Sequence, residues 1–112
     1  MLRRSHTAVL EKSETFNGNF ETEPYEGGWA SEAIWFVRAL ELTGEKPVLR
    51  IFPQISPDGL FWTDKKDGPM IIVEPGLQAL ELRNFGGWLR LRCCLEGRNP
   101  TTKVLIYLSL KE

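Results

Sequence analysis

From Leu77 to Lys111 apolar and polar residues alternate with a period of two, and this alternation constrains the fold more than any other feature of the chain. Leu80 and Leu82 stand against Ala79, Glu81 and Arg83. Leu89, Leu91, Cys93 and Leu95 stand against Trp88, Arg90, Arg92 and Cys94. Val104, Ile106, Leu108 and Leu110 stand against Tyr107, Ser109 and Lys111. Successive side chains of a strand point to opposite faces, so each run reads as a strand with one face in a core. A slip of one residue would turn each apolar face to water, which fixes the register. Asn84-Phe85-Gly86-Gly87 and Gly97-Arg98-Asn99-Pro100 are turn signals that separate the runs.

The earlier part of the chain reads the same way with weaker patterns. Trp29 to Leu42 is the longest apolar segment, and its Ala and Glu content also fits a helix. Trp35, Phe36 and Val37 at its centre favour a strand. Thr43-Gly44-Glu45-Lys46-Pro47 reads as a turn. In Val48–Ser56, Leu49, Ile51 and Ile55 share one face and Arg50 and Gln54 the other. Ser56-Pro57-Asp58-Gly59 has turn chemistry throughout. Leu60–Thr63 and Met70–Val73 read as short strands, and acidic Glu21–Gly28 as a loop. Residues 1–13 read as an N-terminal arm, with Ala8, Val9 and Leu10 as a short strand, and residues 14–112 as the folded domain. The expected fold is all-β: a single-domain, jelly-roll-like β-sandwich of about eight to nine antiparallel strands.

Composition excludes more than it suggests. The 112 residues suffice for one domain with its own core. The formal net charge of −1 gives no electrostatic reason to expect nucleic acid as partner, and no apolar run is long enough to insert in a membrane. Met1-Leu2-Arg3-Arg4 leads into polar Ser5-His6-Thr7, so no secretory signal is read, and synthesis in the cytoplasm is expected. Cys93 and Cys94 are neighbours on opposite faces and are not expected to bond to each other; Cys94 faces outward, where it is available to a second subunit.

Catalytic chemistry is hard to assemble from these residues, and the chain is not expected to be an enzyme. His6 is the only histidine and sits in the arm, where it is poorly held. No cofactor motif and no metal-ligand spacing is present. Asp58, Asp64 and Asp67 fall in nearby loops and read as solvated turn residues instead of calcium ligands. Glu21, Glu23, Glu26 and Glu32 supply carboxylate pairs of the glycosidase kind, which an acid-rich segment does by chance. Trp88, Arg90 and Arg92 share an outward face and are the best surface candidates, because tryptophan and arginine anchor interfaces. The acidic Glu21–Glu26 loop is a complement for that face on a next subunit. Trp29, Trp62 and Trp88 are the candidates for stacking on a carbohydrate.

From Ser31 to the C-terminus the chain resembles a loose family of small β-sandwich modules from Gram-positive bacteria and their phages. The resemblance rests on Trp35-Phe36-Val37, on Gln54-Ile55-Ser56-Pro57-Asp58-Gly59 followed by Trp62 and Asp64, on Val73-Glu74-Pro75-Gly76, and on Phe85 with Arg90-Leu91-Arg92. The first thirty residues match less well. The resemblance implies a non-catalytic building block of a spore surface, fibre or virion, assembling with copies of itself or with other structural subunits. Residues Leu2, Ala8, Val9 and Leu10 of the arm, with Trp88, Arg90, Arg92 and Cys94, are the expected subunit interface. A carbohydrate-binding module is the alternative.

Overall fold

The computed structural model describes residues 4–66 and 68–112; Leu2 and Asp67 lie outside them. The described residues form eight strands: β1 (Ser5–Phe16), β2 (Phe20–Glu21), β3 (Tyr25–Glu26), β4 (Glu32–Ser56), β5 (Thr63–Asp64), β6 (Met70–Ile72), β7 (Gly76–Arg83) and β8 (Trp88–Lys111). All pairings are antiparallel and join the strands into one sheet. The all-β expectation holds, and the Trp29–Leu42 segment is extended from Glu32 onward.

β4 and β8 form a continuous two-stranded ribbon, from Glu32 opposite Lys111 to Ser56 opposite Trp88. A straight strand of 25 residues would reach about 80 Å, yet the longest dimension of the molecule is 49 Å. The ribbon therefore folds over on itself near its middle. One half, layer A, holds residues 32–43 of β4 and 101–111 of β8, flanked by β7 and β1. The other, layer B, holds residues 48–56 of β4 and 88–96 of β8, flanked by β5 and β6 on one side and by β2 and β3 on the other. Trp35, Val37, Ile106 and Leu108 of layer A and Leu49, Ile51, Leu89 and Leu91 of layer B belong to one buried cluster. A Cβ on Gly27 would stand 3.3 Å from Leu110 of layer A and 3.5 Å from Leu89 of layer B. The sandwich is thus one sheet closed like a folded strip.

The fold-over corrects the reading of two segments. Thr43–Pro47 and Gly97–Pro100 do not reverse the chain; they carry both strands around the same corner. Their patterns match: Gly44-Glu45-Lys46-Pro47 and Gly97-Arg98-Asn99-Pro100. Gly44 and Gly97 have φ of 115° and 126°, and Lys46 and Asn99 have φ of 49° and 50°. Each glycine packs against the opposite segment. A Cβ on Gly44 would lie 2.9 Å from the carbonyl oxygens of Arg98 and Asn99, and one on Gly97 would lie 2.9 Å from that of Glu45. Register shifts between Ala39 and Val48 give the extra residues that a sharp bend in a paired ribbon needs. Thr102 Oγ1 donates to the Glu41 carbonyl at 2.9 Å, and the Thr43 and Thr101 hydroxyls hydrogen-bond across the strands.

Two shorter segments also differ from expectation. The Glu21–Gly28 loop contains β2 and β3, held along β8 partly by side chains. Leu91 N donates to Thr22 Oγ1 at 2.9 Å, and Leu95 N donates to Asn19 Oδ1 at 2.9 Å. Leu60 and Phe61 do not join a strand. Asp58 Oδ1 accepts from their amides at 2.9 and 3.1 Å, which holds them in a bend with both side chains exposed.

Candidate functional site

The outward row of layer B is built by β8 and completed by three other elements. Trp88, Arg90, Arg92 and Cys94 alternate with the buried Leu89, Leu91, Cys93 and Leu95, as the period of two predicts. Pairing sets Gln54 opposite Arg90 and Phe52 opposite Arg92; β5 adds Asp64 opposite Gln54, and β2 adds Glu21 opposite Arg92. The polar groups form a chain. Arg90 Nε donates to Gln54 Oε1 at 2.8 Å, Gln54 Nε2 donates to Asp64 Oδ1 at 2.8 Å, and Arg92 Nη2 donates to Asp64 Oδ2 at 3.0 Å. Arg90 Nη1 also reaches Glu21 Oε2 at 2.7 Å. The guanidinium of Arg90 lies 4.2 Å over Trp62, and that of Arg92 lies 4.2 Å over Phe52.

This network holds charge in place on a half-buried face. The hydrogen bond from Arg92 holds the Asp64 carboxyl below the usual carboxylate range, and the same contact raises Arg92. Arg90 is 18% exposed, with both its ring face and its fork engaged within the chain. Glu21, expected as a complement on a neighbouring subunit, is instead the partner of Arg90 in the same chain. Arg92 Nη1 lies 3.1 Å from the Sγ of half-buried Cys94. Burial pushes the Cys93 thiol up, as expected for a core residue.

Each of the three stacking candidates has a neighbour against its ring. Arg4 covers Trp29 at 4.4 Å, Arg90 covers Trp62, and a Cβ on Gly59 would stand 3.3 Å from the Trp88 ring. The carboxylates weighed for metal or acid–base chemistry have local roles. Asp58 accepts hydrogen bonds from the Leu60 and Phe61 amides, which hold its carboxyl below the usual range. Glu26 Oε1 accepts from Gly28 N at 3.2 Å, and Glu32 Oε2 lies 3.4 Å from Arg83 Nη2.

β1 forms the second site. Ser5–Phe16 pairs with β8 along its length, so the strand runs through the 13/14 boundary read from composition. Its ladder is interrupted between Val9 and Glu11 and between Lys12 and Glu14, where Ser13 has φ of 56°. Ala8 and Leu10 are half-buried, and Val9 points outward opposite Tyr107. His6 stacks on Tyr25 with centroids 6.1 Å apart, and Phe16 stacks on Phe20 at 3.7 Å. These two contacts close the seam between layer A and the β2–β3 edge of layer B.

Carboxylates lie along that seam. Pairing sets Glu11 opposite buried Ile106 and Glu14 opposite buried Val104, so both stand on the core side of β1. Burial, a hydrogen bond with Glu14, and the like charges of Glu14 and Glu23 push Glu11 up to about 7 from 4.5. A raised folded-state pKa means that the folded state binds this proton more tightly. The resulting stability is complete below pH about 4.5 and is lost as pH rises through about 7. The melting temperature of Glu11→Gln should therefore gain on that of wild type as pH rises across this window. A constant difference between the two proteins would disprove the assignment.

No family model matches the chain, and no curated protein matches its sequence. Its fold, however, is found in solved structures. Over 97% of its length the chain superposes on the crystal structure of PBSX exported protein XepA, with a TM-score of 0.60 and 14% identity. Over 97% of its length it also superposes on a chain in the structure of infectious bursal disease virus Gx strain, with a TM-score of 0.64 and 10% identity. The chain spans 36% and 32% of those two chains, about a third of each. At such identities the likeness is one of fold alone.

Proposed function

We propose that this chain is a non-catalytic structural module of a virion or related surface assembly, and that it joins neighbouring subunits by exchange of β1. The observation that carries this reading is the construction of β1. It is an edge strand of 12 residues, mostly exposed, that pairs with β8 alone among the described residues and whose ladder is broken twice. Main-chain hydrogen bonds hold such a strand, and the same bonds form equally well with a strand from a second copy. The fold likeness to an exported protein and to a chain in a virus structure is compatible with this reading. The internally paired Arg90–Asp64–Arg92 network fits a rigid acceptor better than a catalytic centre.

Deletion of residues 1–13 tests the reading. The truncated protein should be a folded monomer, and a peptide of residues 4–16 should bind it in trans. A truncated protein that keeps the oligomeric state of the full chain would sink the exchange mechanism.

A further inference from the structure

A strand at the edge of an antiparallel sandwich usually turns its apolar residues to the core. β1 does not. Its inward residues are His6, Ala8, Glu11, Glu14 and Phe16, opposite the buried Leu110, Leu108, Ile106, Val104 and Thr102 of β8. The two register shifts make this so, with Leu10 and Ser13 as the extra residues. In an unbroken strand Leu10 would stand opposite Ile106, and Glu11 would turn outward opposite Leu105. The first bulge instead leaves Glu11 half-buried on the core side.

Three carboxylates come together on this seam. Glu11 and Glu14 occupy consecutive inward rungs of β1, and Glu23 acts on Glu11 from the link between β2 and β3. That link is held in place: Thr22 N donates to the Leu91 carbonyl at 3.0 Å, and Leu91 N donates to Thr22 Oγ1 at 2.9 Å. β8 contributes the Cys93 thiol, which burial pushes up and keeps protonated. Lys12 and Lys103 stand on outward rungs, opposite Leu105 and Thr15, and among the described residues no cation acts on Glu11. The other groups that titrate on the seam, His6 and Tyr25, stack on each other to one side of the carboxylates. Phe16 and Phe20 stack on the other side.

We propose that this seam is a proton-operated latch on β1. A proton held between Glu11 and Glu14 lets the strand lie against β8. Its loss to water sets three like charges together and frees β1, while the β4–β8 ribbon stays paired. The latch rests on the strand-exchange reading only for what captures the freed strand; release is a property of one chain. Burial first, then the hydrogen bond with Glu14 and the charges of Glu14 and Glu23, hold the Glu11 carboxyl up to about 7 from 4.5. Docking of β1 is therefore fully favoured below pH about 4.5 and is lost as pH rises through about 7. The whole difference between 4.5 and about 7 would change the docking equilibrium about 300-fold. Water at the open seam screens part of it, so about tenfold is expected.

Hydrogen exchange of the full chain, dilute and under reducing conditions, tests the proposal. The protection of residues 5–16 is read at each pH against an unstructured peptide of the same sequence. Between about pH 5 and about pH 7.5 the protection of β1 should fall about tenfold, while that of the paired Leu49–Ile51 and Cys93–Leu95 changes less than about twofold. Glu11→Gln should keep β1 protected across the range. Glu23→Lys, at an exposed position, should flatten the fall, because the charge that forms on the seam then meets an opposite one. His6→Gln should leave the fall in place, which separates Glu11 from the histidine beside it. If Glu11→Gln loses its fold, Glu23→Lys decides. A wild type without the fall, a fall shared by the whole ribbon, or one that either glutamate variant leaves unchanged would overturn the latch, as would its disappearance in His6→Gln. A chain that never exchanges its strand can still pass this test, and one that does exchange can fail it.

Discussion

Gly97→Ala is expected to destabilise the protein by about 2–4 kcal/mol and to do so without any change in buried apolar area. The φ of 126° lies in a region that side chains rarely adopt, and the added Cβ would meet the Glu45 carbonyl oxygen at 2.9 Å. That oxygen cannot yield, nor can the Lys46 carbonyl oxygen at 3.0 Å, because both belong to backbone at the corner. Gly44→Ala should behave alike, with φ of 115° and carbonyl oxygens of Arg98 and Asn99 at 2.9 Å. Because the two glycines pack into each other's segments, the double variant should lose less than the sum of the single losses. Urea denaturation of the three variants measures this. A loss below about 1 kcal/mol for each single variant would mean that the corner is not built as described.

Trp35→Ala is expected to cost about 3–5 kcal/mol, the range for emptying a large core site. Trp35 is fully buried between the layers and is the largest buried side chain. Its indole Nε1 has no hydrogen-bond partner among the described residues. A buried donor without an acceptor costs stability, so its removal offsets part of the lost packing. Trp35→Phe should therefore cost well under half as much as the alanine variant. A phenylalanine variant as unstable as the alanine one would show that the indole N–H is satisfied in solution.

How much of this was legible in the sequence depended on whether a strand has one apolar face or two. In β8 the alternation around Leu89–Leu95 and Val104–Leu110 gave both the strands and their inward faces correctly. In β4 the outward Ile34 and Phe36 are as apolar as the inward Trp35 and Val37, so periodicity there could not separate core from surface. The corner was missed because Gly, Asn and Pro serve chain reversals and bends alike. The signal that distinguishes the two was present in the matching Gly-x-x-Pro of Gly44–Pro47 and Gly97–Pro100. The outward Trp88, Arg90 and Arg92 were legible. Their partners were not, because Trp62, Gln54, Asp64 and Glu21 are brought beside them by long-range pairing. The acidic stretch near Glu21 reads as an open loop, although the side chains of Asn19 and Thr22 accept hydrogen bonds from the Leu95 and Leu91 amides and fix it along β8.

The single ribbon that makes both layers also sets an order in time. Its rungs run from Ser56 opposite Trp88, 32 residues apart, to Glu32 opposite Lys111, 79 residues apart. Each rung nearer the termini closes a longer loop than the one before it, at a rising entropic cost. Folding is thus expected to start where β5 and β6 shorten the path between Ser56 and Trp88, and to travel outward as a zipper. The corner lies halfway, so layer A cannot pair in register until the turn through Gly44 and Gly97 has formed. β1 lies on the outer strand of that last half and docks at the end. For a time, then, the chain carries its two layers closed and its N-terminal strand still unplaced.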